Sequence, residues 1–496
     1  MALTKVTYSM IDGLLVNVKD FGVAADGLTD DRANIQAAYD ATPDGGTLVF
    51  PSSQTLRINS KLIFNRSVNV DFSGCTLLLD NSISPNNHHF NVFSQTDAEV
   101  TWTETINQGT YTFTAANTLS VGDSIVLFLG TDPYDPNEQH FVRVCNVISA
   151  SAAAFTVDVH VPYNINGTTH KYAKITNLVS NVTFKNLNID YVAGTTPDTN
   201  IFAYYIYNVR FENITATKCR ILLTVFKSHN VDVVNVDATV VRSGISSHGR
   251  VFTGYQLENT SLENIAAYGS DNEQMLFLES WCRGVKIKNL QLNSTNTSQT
   301  SAMVWVSGGS YDVEIDGFLF SPATAVDVVG TGGTPSDYRI KNLRMLAQPS
   351  FVDMRKVESF ADVPKGVSFM GPLGTVQNRA EGTLTTSGTK YVSIANGVLR
   401  RLWVYAESIT DLAVYVANSN GDVSNITSQL TANQWKEVNA GYNYGGLFAA
   451  NNPTFPTKTV QLFAGAGFPA TQKVSIVAEY WSIDANANTF RVETAF

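Results

Sequence analysis

The chain has 496 residues, of which 15% are charged, and a formal net charge of −10. An acidic, weakly charged chain offers no basic stripe for nucleic acid and no polybasic patch for a membrane surface. No run of about 18 apolar residues exists, so no membrane insertion is expected. Cys75, Cys145, Cys219 and Cys282 lie far apart without a CxxC spacing, as expected of buried thiols made in a reducing cytoplasm. Ser, Thr and Asn carry the polar surface instead of charge, which suits a β-rich chain.

The N-terminal MALTKVTYSMIDGLLVNVKD lacks the basic region, long apolar core and small-residue site of a signal peptide. Next comes VKDFGVAADGLTDD (18–31), with Asp26, Gly27, Asp30 and Asp31 close together. The alternating oxygen ligands and distal glutamate of a calcium loop are missing, so no metal and no cofactor is expected there. TDDRANIQAAYDA instead predicts a helix capped by Thr29 or Asp30, with Ile35, Ala38 and Tyr39 on its apolar face. A helix of this kind can cover the open end of a stacked sheet. Residues about 95–176 carry LSVGDSIVLFLG, FVRVCNVISA and AAFTVDVHV, which read as antiparallel strands of a small inserted β-domain.

The middle of the chain repeats. VTFKNL (182–187), VRFENI (209–214), VDVVNV (231–236), TSLENI (260–265) and VKIKNL (285–290) share one pattern, with weaker copies VEIDGF (313–318) and YRIKNL (338–343). The fifth position falls at 186, 213, 235, 264, 289, 317 and 342, a period of 22–29 residues. Such a period means stacked units, each too short to bury a face alone. Alternation with period two makes the units strands, and the asparagine is expected to end each strand at a tight bend. Stacking would superimpose Asn186, Asn213, Asn235, Asn264 and Asn289 as an amide ladder. The solution is a parallel β-helix. Between copies runs a second apolar strand, as in ILLTVFKSHN (221–230) and QMLFLESWCRG (274–284), preceded by a variable loop. Each coil therefore has a uniform side and a variable side, and sites are usually built on the variable one.

After residue 346 the repeat stops. Residues 347–374 read as a linker and 375–496 as short alternating strands of a C-terminal β-sandwich. Trp403, Tyr442 and Tyr444 are either sugar platforms or core, with core favoured for Trp403.

The run VNVKDFGVAADGLTDDRANIQAAYDA…GGTLVFP resembles the N-terminal signature of pectate-lyase-like β-helix proteins, and within them the tailspike depolymerases of bacteriophages. TKVTYSMIDGLL resembles the segment where such tailspikes join their virion-attachment region. The likeness is close over residues 4–80 and extends to about 346 by pattern. It implies an all-β fold: a right-handed parallel β-helix with an N-terminal capping helix, a small inserted β-domain and a C-terminal β-sandwich. Residues 1–60 would be attachment segment and cap, and 61–346 the β-helix. It further implies a homotrimer on the virion tail, joined to a tail or adaptor protein through the N-terminus and made in the host cytoplasm. Its partner would be a bacterial surface polysaccharide, capsule or O-antigen, cleaved at the cell surface. The signature lies close to Met1, so no large head-binding domain is expected. No family catalytic motif is present, and the scaffold alone does not assign a site.

Glycoside hydrolysis needs two carboxyl groups flanking the bond. The densest candidate is YGSDNEQMLFLESW (268–281). Asp271 and Glu273 lie in the loop; alternation then turns Leu276 and Leu278 inward and Phe277 and Glu279 outward, with Trp281 at the bend. Glu273 is the expected general acid, and Asp271 or Glu279 the base or nucleophile. His248, Arg250, Tyr255 and Gln274, with Trp281 and Trp305, would hold substrate, because aromatic faces suit sugar rings. Lyase chemistry is the rival, with His248 and Arg250 as base and carboxylate partner. Hydrolysis is favoured because the acid cluster is richer. A non-catalytic receptor-binding fibre is the third reading.

Overall fold

The computed structural model describes residues 15–80, 89–131, 139–162, 164–193, 199–241, 249–269, 274–324, 326–331 and 336–346. Beyond these it describes 356, 360–362, 375–384, 388–393, 397–417, 423–425, 427–437, 459–464, 469, 472–482 and 491–493. The chain is all-β with large parallel sheets. It divides into two compact units, 1–316 with 330–338, and 317–329 with 339–496.

In the first unit, one sheet collects the repeats. Ser180–Tyr191, Tyr207–Cys219, His229–Val240, Ser261–Gly269 and Lys286–Ser294 pair in parallel, one coil after the next. We call this the ladder sheet. The register stacks like on like: Phe184, Phe211, Val233, Leu262 and Ile287 form one inward file. All five are buried, each contributing roughly 1.5–3 kcal/mol of transfer free energy.

The asparagines do not end these strands. Asn186 lies inside Ser180–Tyr191, whose first half pairs with Asn69–Asp71 and whose second half pairs with Thr76–Leu79. One left-handed residue turns the strand without ending its hydrogen bonding. Asn186, Asn213, Asn235, Asn264, Asn289, Gly317 and Asn342 all have φ between +50° and +76°. Asparagine tolerates that region because its amide bonds locally, and glycine because it lacks a Cβ. The amides form the expected ladder. Asn213 donates to Asn186, Asn235 to Asn213, Asn264 to Asn235 and Asn289 to Asn264, at 2.8–2.9 Å. Asn186 donates in turn to Asp71, at 2.9 Å.

A second parallel sheet holds the alternate strands. Phe90–Phe93, Thr199–Tyr204, Ile221–Phe226, Arg250–Tyr255, Leu276–Glu279 and Val304–Val306 follow in order. We call it the site sheet.

The helix spans Arg32–Ala41 and buries Ile35, Ala38 and Tyr39. It begins later than the sequence suggested. Thr29 belongs to the strand Asp26–Asp30, and Asp31 holds the N-cap position. The carboxylates are occupied by backbone amides. Asp31 accepts from Ala24 and Ala25 at 2.7 and 3.1 Å. Asp26 accepts from Leu28 and Thr29, both at 2.8 Å.

Among the described residues between 95 and 177 the strand pairs are antiparallel. They close on their own core, which includes Trp102, Phe113, Phe155 and Tyr172. The four cysteines are buried and free. Burial pushes the Cys75 and Cys282 thiols up to about 12.

In the second unit, Leu319–Phe320 pairs in parallel with Arg344–Met345. Antiparallel strands then form two sheets, one built around Gln472–Ser482 and the other around Thr459–Ala464. Trp403 is half-buried, while its neighbours Val404 and Ala406 point into the core. Strand alternation thus sets Trp403 on the outer face, contrary to the core reading. Tyr442 and Tyr444 lie outside the described residues.

Candidate functional site

The outward positions of the site sheet carry aromatic side chains in register. One file runs Tyr204, Phe226, Tyr255, Glu279. The file beside it runs Phe202, Thr224, Thr253, Phe277, Trp305. The rings stack across strands spaced about 4.8 Å apart. Phe226 and Tyr255 lie 4.3 Å apart at 18°, and Phe277 and Trp305 lie 6.5 Å apart at 7°. Tyr255 and Phe277 join the files at 5.7 Å. Trp305 lies flat because Gly330 lets it: a Cβ there would come within 2.5 Å of the indole.

Arg250 crosses this strip. Its guanidinium carbon sits 3.8 Å from the centre of the Phe277 ring, a cation–π contact. One nitrogen donates to Gln274 Oε1 at 3.1 Å, and the guanidinium also hydrogen-bonds the Tyr255 side chain. Burial lowers the Arg250 pKa from its ordinary value; the fields of Tyr255 and Glu279 oppose the drop. Burial likewise raises Tyr255, against the pull of Arg250. At the edge of the strip Trp305 Nε1 donates to Ser307 Oγ at 2.8 Å, and Ser307 donates to Glu279 Oε1 at 3.3 Å. Glu279 is thereby oriented by a buried hydroxyl and sits in the field of a desolvated cation.

Of the residues expected at a site, the structure brings Arg250, Tyr255, Gln274, Glu279 and Trp305 together. Asp271, Glu273 and His248 lie outside the described residues. Trp281 goes elsewhere: it packs edge-on against His140 of the inserted domain at 4.3 Å. Its backbone is left-handed, with φ +66°, and turns it beyond the corner. Sequence reasoning missed Phe202, Tyr204 and Phe226, which extend the strip, and Ser307, which holds Glu279. The signal for the three aromatics was the i, i+2 alternation in IFAYY and TVF, three and two coils before that of the acidic loop.

The fold and this strip define a class: an all-β parallel β-helix protein with an aromatic strip beside an arginine and a carboxylate. No protein-family model matches the chain, and no curated protein does. Several solved structures resemble it. The tailspike protein gp49 of Pseudomonas phage LKA1 shares 12% identity, covering 94% of this chain and 100% of that one, with TM-score 0.35. The gp54 tailspike of Acinetobacter baumannii bacteriophage AP22, solved with A. baumannii capsular saccharide, shares 9% over 94% and 96%, with TM-score 0.36. Endo-xylogalacturonan hydrolase of Aspergillus tubingensis shares 12% over 72% and 91%, with TM-score 0.34. At these scores the likeness gives no residue a role.

Proposed function

We propose that this protein is a phage tailspike that binds and depolymerises a bacterial surface polysaccharide by glycosidic hydrolysis. The observation that carries the reading is the strip itself. Flat rings of Tyr255, Phe277 and Trp305 adjoin the oriented carboxylate of Glu279 and the desolvated guanidinium of Arg250. Aromatic faces accept the apolar faces of pyranose rings, and a carboxylate at their edge meets the glycosidic bond.

In this mechanism the positive field of Arg250 favours ionised Glu279, which suits a base or nucleophile rather than an acid. Glu273 supplies the proton to the leaving oxygen, and Asp271 is the alternative to Glu279 as base or nucleophile. Gln274 and His248 orient the sugar. The N-terminal signature supports attachment to a phage tail as a homotrimer. One feature favours lyase chemistry as a second reading: a desolvated arginine on the strip can neutralise a uronate carboxylate and stabilise the charge formed on proton abstraction.

The deciding experiment is product analysis on a panel of capsular and O-antigen polysaccharides, by mass spectrometry and ultraviolet absorbance. Saturated oligosaccharides in a repeat-unit ladder are expected. Unsaturated ends would establish the lyase. Binding of a polysaccharide with no cleavage would leave a receptor-binding fibre.

A further inference from the structure

Arg250 is the charge that the strip leaves unmatched. Arg57, Arg143, Arg210 and Arg283 each contact a carboxylate. Arg250 contacts none among the described residues, and Glu279 reaches it only through its field. Its polar partners are Gln274 and the Tyr255 side chain, and the Phe277 ring lies beneath it. Its Nε is buried without a hydrogen-bond partner among the described residues. Arg220, at the same corner of the preceding coil, adds a second positive field. A desolvated charge is ordinarily paired, because only an opposite charge and good hydrogen bonds offset the loss of water. Arg250 is nevertheless part-exposed, so a ligand can approach it.

The partners of Arg250 are fixed as donors toward anything else. A guanidinium only donates, so Gln274 must present Oε1 to it, at 3.1 Å, which leaves Nε2 as the free end of the amide. The Tyr255 oxygen likewise accepts from Arg250, which frees the phenol proton to donate. Neither Gln274 Nε2 nor the Tyr255 hydroxyl proton meets an acceptor among the described residues. The polar atoms that these three residues leave open are therefore all donors, set around one positive charge.

We propose that Arg250, with Gln274 and Tyr255, binds the carboxylate of an acidic sugar residue, so that the polysaccharide lying on the strip is anionic. The inference rests on the depolymerase reading for a polysaccharide ligand, and it holds for hydrolysis and elimination alike. The chemistry selects the group. A neutral sugar would leave the cation unmatched. A doubly charged phosphate monoester would be repelled by Glu279, whose field already acts on Arg250. A carboxylate carries one charge and two coplanar oxygens, which match a guanidinium edge flanked by amide and phenol donors. The neighbouring faces of Phe226 and Trp305, both part-exposed, would carry the adjoining rings of the chain.

Binding of the full chain to a panel of immobilised capsular and O-antigen polysaccharides tests this, each in native form and after reduction of its carboxyl groups to alcohols. Tight binding is expected only from polysaccharides that carry carboxylates. Reduction should weaken it by about tenfold or more, the usual cost of losing a charge-assisted hydrogen bond. Arg250→Gln should lose the same factor on the native polymer and nothing further on the reduced one. Gln274→Glu keeps the test readable if Arg250→Gln fails to fold. It sets a carboxylate where Oε1 now meets the guanidinium, so it should raise the thermal midpoint and weaken binding of the native polymer by a similar factor. A preferred ligand that is neutral, or that binds through phosphate and ignores carboxyl reduction, would overturn the proposal. Equal losses of Arg250→Gln on native and reduced polymer, or no binding across the panel, would overturn it too. Cleavage of a neutral polysaccharide removes the carboxylate site alone. Carboxylate-dependent binding through Arg250 without cleavage of any polysaccharide removes the depolymerase reading and leaves the site standing.

Discussion

Each coil presents two sides built from the same chain in opposite ways. On the ladder side one residue type recurs, and its amides satisfy one another from coil to coil. On the site side aromatic rings, an arginine and a carboxylate occupy equivalent positions, and no type repeats for more than a few coils. The ladder side is self-sufficient: its polar groups find their partners within the repeat. The site side keeps the rings of Phe226, Tyr255 and Trp305 part-exposed, while Arg250 lies over the buried Phe277 ring. The difference separates what holds the stack from what a ligand would use, and substitutions on the two sides should have different signatures.

The largest effect is expected on the site side. Glu279→Gln keeps the shape and still accepts the Ser307 hydrogen bond, but removes the charge. It should lower kcat on the cleaved polysaccharide by about 10²–10⁴, the usual worth of a positioned acid or base. The thermal midpoint should stay within a degree or two of the parent. Unchanged kcat would show that Glu279 is scaffold and place the chemistry elsewhere.

The counterpart on the ladder side is Asn264→Ala. It removes the bond to Asn235 and the one received from Asn289, and it puts a Cβ without a local amide into the left-handed region. The expected loss is about 2–3 kcal/mol, and about half that for Asn264→Gly, which keeps the backbone freedom. Thermal unfolding of the two variants ranks them, and specific activity of the folded protein should not change. Equal losses would mean that the amide bonds, not the backbone, carry the cost. Gly317, at the equivalent position of the sequence repeat, is a natural instance of the glycine solution.

A smaller effect is expected within the site sheet. Gly330→Ala places a methyl against the Trp305 indole, whose ring atoms would be only 2.5 and 2.7 Å from it. The ring must tilt away from Phe277. A several-fold rise in KM with little change in kcat is expected, together with a stability loss of about 1–3 kcal/mol from overpacking. A change in kcat alone would mean that Trp305 acts through Ser307 on Glu279 rather than as a platform.

Much of this contrast was legible in the sequence. The ladder could be read because each Asn is a local requirement: one bend, one left-handed residue, repeated. Its position inside a strand could not be read, since a turn residue and a strand residue look alike until the pairing on both sides is known. A second file, Asn181, Asn208 and Asn230, went unseen although it bonds in the same way. Each of its members directly precedes the buried valine that opens a repeat, Val182, Val209 and Val231, so it stood in the same frame one position before the pattern that was read. On the site side the outward alternation at Phe277 and Glu279 was readable, because it depends only on parity. The Arg250–Phe277 contact was not, because a long side chain reaches across strands. Trp281 shows the limit of parity: after a left-handed corner, position along the strand no longer predicts the face.

The smallest expected effect concerns the junction between coils and inserted domain. His229 is held at a pKa of about 4, chiefly by burial and then by the nearby Arg143 charge, with Asp158 opposing. Its ordinary value is 6.5. Above that value neither folded nor unfolded chain protonates this ring, and it contributes no pH dependence. Between about 6.5 and 4 the unfolded chain takes up a proton that the folded chain refuses, so stability falls as the pH falls. Below about 4 both states are protonated and the dependence ends. His229→Gln should therefore flatten part of the slope of thermal midpoint against pH in this window and leave the midpoint near pH 7 almost unchanged. An identical slope in the variant would mean that His229 is hydrated in solution and that the inserted domain seals this corner less tightly than the Arg143–Glu258 contact indicates.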